Sequence, residues 1–176
     1  CRKGVGAAQG ATVAMDTTAA NGLYSFTEIA EGENYTITPY KNSNLTNGVT
    51  TFDMVLITRH ILGVAPLNSP YKIIAADVNK SGTVTTFDLV ALQMVILNVS
   101  TSFPNGNTSW RFIPAVYNFP NPSNPFNPPF PEFIELVNLN GNRLEEDFIA
   151  IKVGDVNNSA NPLNFTEEEH FSEEQK

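Results

Sequence analysis

A twelve-residue window in the middle of the chain, Asp77 to Asp88, most constrains what this sequence can form. Side chains that carry oxygen stand at its first, third, fifth, ninth and twelfth places, and a glycine stands at the sixth. Calcium takes roughly six to eight oxygen ligands, and a loop with this spacing and a glycine turn can wrap one ion. The predicted ligands are Asp77, Asn79, Ser81, Thr83 through its carbonyl, Thr85 and Asp88. The alternative is a polar turn followed by a helix that Asp88 caps.

The composition narrows the class of protein. The 176 residues include 10 basic and 18 acidic ones, for a net charge of −8, which argues against nucleic acid as a partner. No apolar run approaches the ~18 residues of a membrane span. Only 16% of residues are charged, which is typical of secreted proteins and favours an extracellular or cell-surface location. The single cysteine, Cys1, is either a lipid-modified mature terminus or a fragment boundary.

A weaker copy of the window precedes it. Residues 47–53 line up with residues 82–88 at an offset of 88 − 53 = 35 positions. Extending the alignment backwards predicts a second loop that uses Asn42, Asn44, Thr46, Gly48 and Asp53. Because Asp53 is its only anion, we expect this loop to bind calcium more weakly, or to be a degenerate structural loop.

Hydrophobic periodicity assigns helices and strands around the loops. Apolar residues at helical spacing predict helices over 53–62 and 88–97, and Ser69-Pro70 opens a short helix between them. Alternating residues predict strands at 11–15, 23–26, 35–40, 110–113, 133–137 and 148–153. Residues 118–131 hold six of the twelve prolines and predict an extended arm.

The last predicted strand runs into a short copy of the loop's opening. Gly154-Asp155-Val156-Asn157 echoes Asp77-Val78-Asn79. Asp155 and Asn157 are therefore predicted either as an extra calcium contribution or as a turn that ends the strand.

The duplicated loop and helix, separated by a linker helix over residues 42–98, resembles type I dockerins. This resemblance implies Ca²⁺ as the cofactor and the oxygen set of residues 77–88 as its ligands. It also implies that Thr51-Phe52 and Thr86-Phe87 help to recognise a cohesin. The alternative is that Phe52 and Phe87 are buried in the core, and this is the outcome that we expect.

Further stretches extend the resemblance. The stretch "ANGLYSFTEIAEGENYTITP" is similar to prealbumin-like or Cna-B-like β-sandwich modules. The stretches "NGVTTFDMVLITRHILG" and "SPYKIIAADVN", with the closing "KVGDVN", resemble dockerin-like segments of secreted surface proteins of Bacteroidetes-type bacteria. The implied fold is α+β: a prealbumin/Ig-like β-sandwich packed with a dockerin-like pair of calcium loop–helix units, its C-terminal strands returning to the sheet. A strand is missing upstream of Ala11, which would leave an edge for another strand of this chain or of a neighbouring subunit.

These observations predict four segments: residues 1–41, 42–98, 99–160 and an acidic tail over 161–176. The tail is disordered by composition, unless a neighbour holds it through Leu163, Phe165 and Phe171. The predicted function is a non-catalytic, calcium-stabilised extracellular module of an adhesin or filament. It would assemble with copies of itself or neighbouring modules by strand or tail exchange. The alternative is a dockerin that binds a cohesin in a polysaccharide-degrading complex. An enzyme such as a glycosidase would need two opposed carboxylates in a cleft, which we do not predict.

Several single residues carry weaker signals. A sugar-stacking surface from Trp110 and Phe112 would make glycans a partner. His60 is predicted as a packed or capping histidine, and His170 as solvated. Sequons and one Asp-Thr-Thr motif predict possible glycosylation at Thr17, Asn34, Asn44, Asn98, Asn107, Asn157 and Asn164.

Overall fold

The structure, a computed structural model, describes residues 12–163 and the backbone of residues 2–7. The chain separates into two compact units, residues 1–41 with 110–151, and residues 42–109 with 152–176. Helices and small antiparallel sheets occur together, as the α+β expectation required, but a β-sandwich is not confirmed. Among the described helices, none has the length and apolar character needed to cross a membrane.

The first unit is built on a four-stranded antiparallel sheet. Its strands are β1 (Arg2–Ala7), β2 (Thr12–Thr17), β3 (Tyr35–Tyr40) and β5 (Ile134–Leu136), in the order β2-β1-β3-β5. A second sheet pairs β4 (Trp110–Pro114) with β6 (Phe148–Lys152). The strand thought to be missing upstream of Ala11 is therefore present as β1, in the centre of the sheet. Two glycines in β1 hide it from sequence reasoning, because glycine has a low strand propensity.

The core of the first unit lies on one face of β3, whose residues alternate between buried and accessible. Tyr35 and Ile37 pack with Leu136 of β5. The predicted strand at 23–26 is wrong, because these residues form no ladder. Tyr24 and Phe26 instead pack against this core, with their rings edge to face at 5.7 Å. The tyrosine hydroxyl donates a hydrogen bond to the carbonyl of Glu146.

The proline-rich arm has neither helix nor strand, as predicted. The ring centroids of Phe119 and Phe130 lie 6.0 Å apart, and the Arg111 guanidinium lies 4.7 Å from the Phe130 ring centroid. Arg111 also pairs with Glu132 at 2.9 Å. On β4, Trp110 and Phe112 are buried, so the structure offers no sugar-stacking surface there.

The second unit contains three helices, α1 (Thr51–Ile61), α2 (Pro70–Ala76) and α3 (Thr86–Ile96). A capping box opens α1 with Thr50 and Asp53 and opens α3 with Thr85 and Asp88. Each aspartate is thus the third helical residue, which explains why both helices begin two residues before the predicted start. Helices α1 and α3 pack on each other. The largest fully buried apolar side chains of this unit are Ile57, Ile74, Val78, Leu92, Val95, Val153 and Val156.

Candidate metal centre

Residues 77–88 form what we call the continuous loop, and its first carboxylate, that of Asp77, is completely buried. Its oxygens accept hydrogen bonds from the backbone N–H groups of Ser81 at 2.8 Å and Gly82 at 2.9 Å. Positive φ angles at Lys80 (54°) and Gly82 (78°) bend the chain around this carboxylate. The sixth place needs glycine because a side chain disfavours this left-handed geometry.

The second carboxylate, that of Asp88, is also completely buried. It accepts backbone N–H groups from Asn79 at 3.0 Å and from Thr85 at 2.8 Å. Asp88 therefore closes the loop onto its own start and caps α3 at the same time. The contacts expected of a turn with a capped helix are therefore present, they also give the closed shape that a calcium loop needs, and calcium binding by these six residues stays a prediction.

Neutral oxygens complete the donor set. The Ser81 hydroxyl lies 3.1 Å from the carbonyl oxygen of Thr83 and 3.2 Å from its hydroxyl. The side-chain oxygen of Asn79 accepts the Ser81 N–H at 3.1 Å. All six predicted ligands of residues 77–88 thus lie within one short, closed loop.

The electrostatics of this loop suit a cation. Neither Asp77 nor Asp88 forms a salt bridge with any residue that the structure describes. Burial raises the pKa of the Asp88 carboxyl, backbone hydrogen bonds from Asn79 and Thr85 oppose that rise, and the Asp77 charge adds to it. Two buried carboxylates that lie close together repel each other, and a positive ion between them would stabilise both.

The composition of the site favours calcium over transition metals. Within residues 12–163 there is no cluster of three or more His, Cys, Asp or Glu side chains that could hold a metal. Hydroxyl, amide and carbonyl oxygens with a few carboxylates are the ligands that calcium accepts. Asp77, Asn79, Ser81, Thr83, Thr85 and Asp88 offer oxygen for this purpose.

A neighbouring segment anchors the loop from behind. The side-chain amide of Asn107, which is buried, donates to the carbonyls of Asp77 at 3.3 Å and Val78 at 2.9 Å. Asn105 donates in the same way to the carbonyl of Asn79 at 2.7 Å. The predicted glycosylation of Asn107 is therefore wrong, because the nitrogen that would carry the glycan is occupied inside the fold. Sequence reasoning missed this anchor, since no local pattern links residues 105–107 to the loop.

The first half of the weaker loop, residues 42–46, makes different contacts from those predicted. The side-chain oxygen of Asn42 accepts the backbone N–H of Ser109 at 2.9 Å. The carbonyls of Asn44 and Thr46 close turns with the N–H groups three residues later, at 3.1 and 3.0 Å. Within the described residues, the Asp53 carboxylate accepts hydrogen bonds from Thr50, Val156 and Asn157 and from none of these three residues. The prediction that Asn42, Asn44 and Thr46 are its fellow ligands is corrected accordingly.

The second half of the weaker loop meets the end of the described chain instead. Asp53 is completely buried and accepts backbone N–H groups from Thr50 at 2.9 Å, Val156 at 3.0 Å and Asn157 at 3.3 Å. Asp155, which is 3% exposed, lies in the same segment. The structure therefore brings Asp53 together with the two residues, Asp155 and Asn157, that the sequence had offered as an extra contribution.

His60 is half-buried and accepts the Leu67 N–H at its Nδ1 atom at 3.2 Å, so it is packed rather than capping, and burial lowers its pKa. The expected burial of Phe52 and Phe87 is wrong, because they are 57% and 74% exposed. Thr17, Asn34 and Asn98 are exposed, Asn44 is half-buried, and their glycosylation stays a prediction. Asn164, Phe165, His170 and Phe171 lie outside the described residues.

Two buried, backbone-held carboxylates at loop–helix junctions define the second unit as a calcium-loop module. Residues 44–97 match the family model of the dockerin type I domain. This match spans α1, α2, the continuous loop and α3 and covers under a third of the chain. Calcium is the cofactor of this segment, and the resemblance to dockerins is confirmed for it. No curated protein and no solved structure is significantly similar to the chain.

Proposed function

We propose that this chain is a non-catalytic, calcium-dependent docking module of a secreted or cell-surface protein, and that a cohesin-like domain is its partner. The observation that carries the proposal is the exposure of Phe52 and Phe87, one at the eleventh place of each loop repeat. Exposed aromatic rings at matched places suit a docking surface, because aromatic side chains are among those that dominate binding energy at protein interfaces.

Other exposed apolar residues repeat at the same offset. Val55 and Leu62 on and after α1 match Val90 and Leu97 on and after α3, and all four are exposed. The two helices therefore present the same kind of surface twice. This duplication would allow a partner to bind either repeat alone or both repeats together.

Calcium would control this surface by fixing the position of the first turn of α3. Asp88 is at once the last ligand of the continuous loop and a member of the capping box of α3, and Phe87 is its immediate neighbour. An ion that holds Asp88 in place also fixes the direction in which the first turn of α3 leaves the loop. Partner binding should accordingly depend on calcium.

The docking role is testable with recombinant cohesin domains as the probe, using titration calorimetry in calcium. We expect replacement of both Phe52 and Phe87 by serine to weaken binding about thirtyfold, the equivalent of about 2 kcal/mol for the loss of aromatic anchors. Leu144→Ser is a matched control, since Leu144 is 81% exposed and lies in the first unit. Equal affinity of the double variant and the control, or no binding to any cohesin in calcium, would contradict the proposal.

A second candidate is the adhesin or filament role, in which copies of the chain add strands to one another. It is favoured by β2, an edge strand of the four-stranded sheet whose Val13 and Met15 side chains are exposed. If β2 is the contact, sedimentation in calcium should show assemblies that grow with concentration and that Val13→Lys with Met15→Lys abolishes. The same double change should leave cohesin binding intact. A wild-type chain that stays monomeric at all concentrations rules this candidate out.

A further inference from the structure

We propose that a second calcium ion binds in a discontinuous loop, whose first half is residues 155–159 and whose second half is residues 48–53. The halves are far apart in the chain, with 155 − 53 = 102 positions between Asp155 and Asp53. This site is separate from the continuous loop and does not depend on the docking role. Half of it lies beyond the residues that match the dockerin family.

Asp155, whose carboxylate would open the discontinuous loop, accepts the same kind of backbone hydrogen bonds as Asp77. Asp155 accepts the N–H groups of Ser159 at 3.2 Å and Ala160 at 2.8 Å. In the continuous loop, Asp77 accepts the N–H groups four and five residues later in the same way. Asn158 has a positive φ of 62°, like the 54° of Lys80 at the matching place. Residues 155–159 thus repeat the local geometry of residues 77–81, and the Ala160 N–H takes the place of the Gly82 N–H.

Asp53, whose carboxylate would close the discontinuous loop, accepts the same kind of hydrogen bonds as Asp88. Asp53 accepts the Asn157 N–H at 3.3 Å, just as Asp88 accepts the Asn79 N–H at 3.0 Å. It also accepts the N–H and the hydroxyl of Thr50, both at 2.9 Å, as Asp88 accepts those of Thr85. The contact that joins the start of the continuous loop to its end therefore recurs between two distant segments, and the local contacts of the closing aspartate recur with it.

The middle of the loop also recurs. The Ser159 hydroxyl donates to the carbonyl oxygen of Gly48 at 2.9 Å, and the Ser81 hydroxyl makes the equivalent bond to Thr83 at 3.1 Å. Gly48 and Thr83 occupy the same place in the aligned repeats. The carbonyl at the seventh place, which serves as a calcium ligand in such loops, is thus present on the second half.

The sixth place explains how one loop can be built from two pieces. Gly82 has a positive φ because the continuous loop must turn there. Ala160 occupies that place in the first half and does not have a positive φ. No turn is needed, since the next ligands come from another part of the chain. Two hydrogen bonds between Asn47 and Asn161, of 2.6 and 3.2 Å, close the junction instead.

An unsatisfied oxygen points independently to a ligand. The side-chain oxygen of Asn157 is buried and has no hydrogen-bond partner. It stands at the third place of the loop, where Asn79 stands in the continuous loop. Burying an acceptor without a partner is unfavourable, and a cation at this place would satisfy it. Neither Asp53 nor Asp155 forms a salt bridge with a residue in the described part of the chain.

The donor set is then as large as that of the continuous loop. It contains two carboxylates, one amide oxygen, one backbone carbonyl and two hydroxyls, from Asp53, Asp155, Asn157, Gly48, Thr50 and Ser159. An ion bound there would tie the segment after β6 to the start of α1. Calcium would in this way join the end of the described chain to the module.

Calorimetric titration of the calcium-free full chain with calcium alone tests the site. We expect two ions per chain in the wild type, one in Asp155→Asn, one in Asp77→Asn and none when both are changed. The matched control replaces Asn44 and Thr46 by alanine and should keep both ions. Two ions in Asp155→Asn, or one ion in the Asn44 and Thr46 variant, would overturn the proposal in favour of a contiguous first loop.

A second variant tests the site even if Asp155→Asn does not fold. Asn157→Ala keeps both carboxylates and removes only the orphan oxygen. We expect it to weaken one of the two binding steps at least about tenfold and to leave the other step unchanged. Hydrogen exchange should also show calcium slowing the amides of Val156, Asn157, Ser159 and Ala160. An Asn157→Ala chain with two unaltered steps would contradict the assignment, whatever the outcome of the cohesin experiment.

Discussion

Chelation of calcium is expected to lower the melting temperature of the second unit by about 10 to 20 °C. Calcium that binds the folded state alone stabilises it by about 3 to 4 kcal/mol per ion when its concentration is roughly 100 to 1,000 times the dissociation constant. A change of this size in a unit of such length gives the stated shift. The physical source is the pair of buried carboxylates, Asp77 and Asp88, whose mutual repulsion the ion removes.

Circular dichroism melts with calcium and with excess chelator would measure this shift. Magnesium should not restore the stability, because it is smaller and prefers a rigid octahedral shell with several waters. Asp77→Asn should melt with and without calcium much as the chelated wild type does, apart from any ion that the discontinuous loop binds. Asp147→Asn, at an exposed aspartate of the first unit, is the control and should behave as wild type. Identical melting curves with calcium and with chelator would refute calcium-linked folding.

Replacement of Gly48 by alanine is expected to destabilise the second unit by about 2 to 4 kcal/mol. Gly48 has a φ of +71°, which disfavours any side chain by about 1 kcal/mol. A Cβ atom there would lie 2.4 Å from the backbone N and Cα atoms of Ala160. Relieving this overlap must move backbone, and overpacking of this kind costs about 1 to 3 kcal/mol.

Gly63→Ala separates the two causes. Gly63 has nearly the same φ, +68°, but nothing lies within 4 Å of a Cβ atom built there. It should therefore lose only the conformational part, about 1 kcal/mol, in urea unfolding measured in calcium. Gly48→Ala should also weaken the binding of one calcium ion, because the Gly48 carbonyl is a proposed ligand. If both alanine variants lost the same stability, residues 48 and 160 would not be in close contact.

Local patterns predicted much of the second unit correctly. The oxygen spacing of residues 77–88 located the continuous loop, since its contacts join residues only two to nine positions apart. The start of α2 at Pro70 followed from the fixed φ of proline, and in the first unit the strand over 35–40 followed from alternation. The helix starts were displaced by two residues, because the pattern did not reveal that Asp53 and Asp88 are third in the helix instead of caps.

Errors arose where an interaction joins distant segments. Strand β1 is weak in propensity and forms because β2 and β3 pair with it on both sides. Asn107 looked like a glycosylation sequon, but burial against residues 77 and 78 decides its role. Whether Phe52 and Phe87 face the core or solvent depends on how the helices pack, which their period alone does not fix.

The sequence by itself determined that a closed loop with the spacing of a calcium site lies at residues 77–88 and that each loop repeat leads into a helix, because oxygen spacing and helical periodicity act over a few residues. Only the tertiary structure decided what completes the first repeat. Asp53 has no partner among Asn42, Asn44 and Thr46 and instead accepts the N–H groups of Val156 and Asn157, more than 100 positions later. A half-loop carries no local signal for its other half, so that pairing depends on the fold that brings the two ends together.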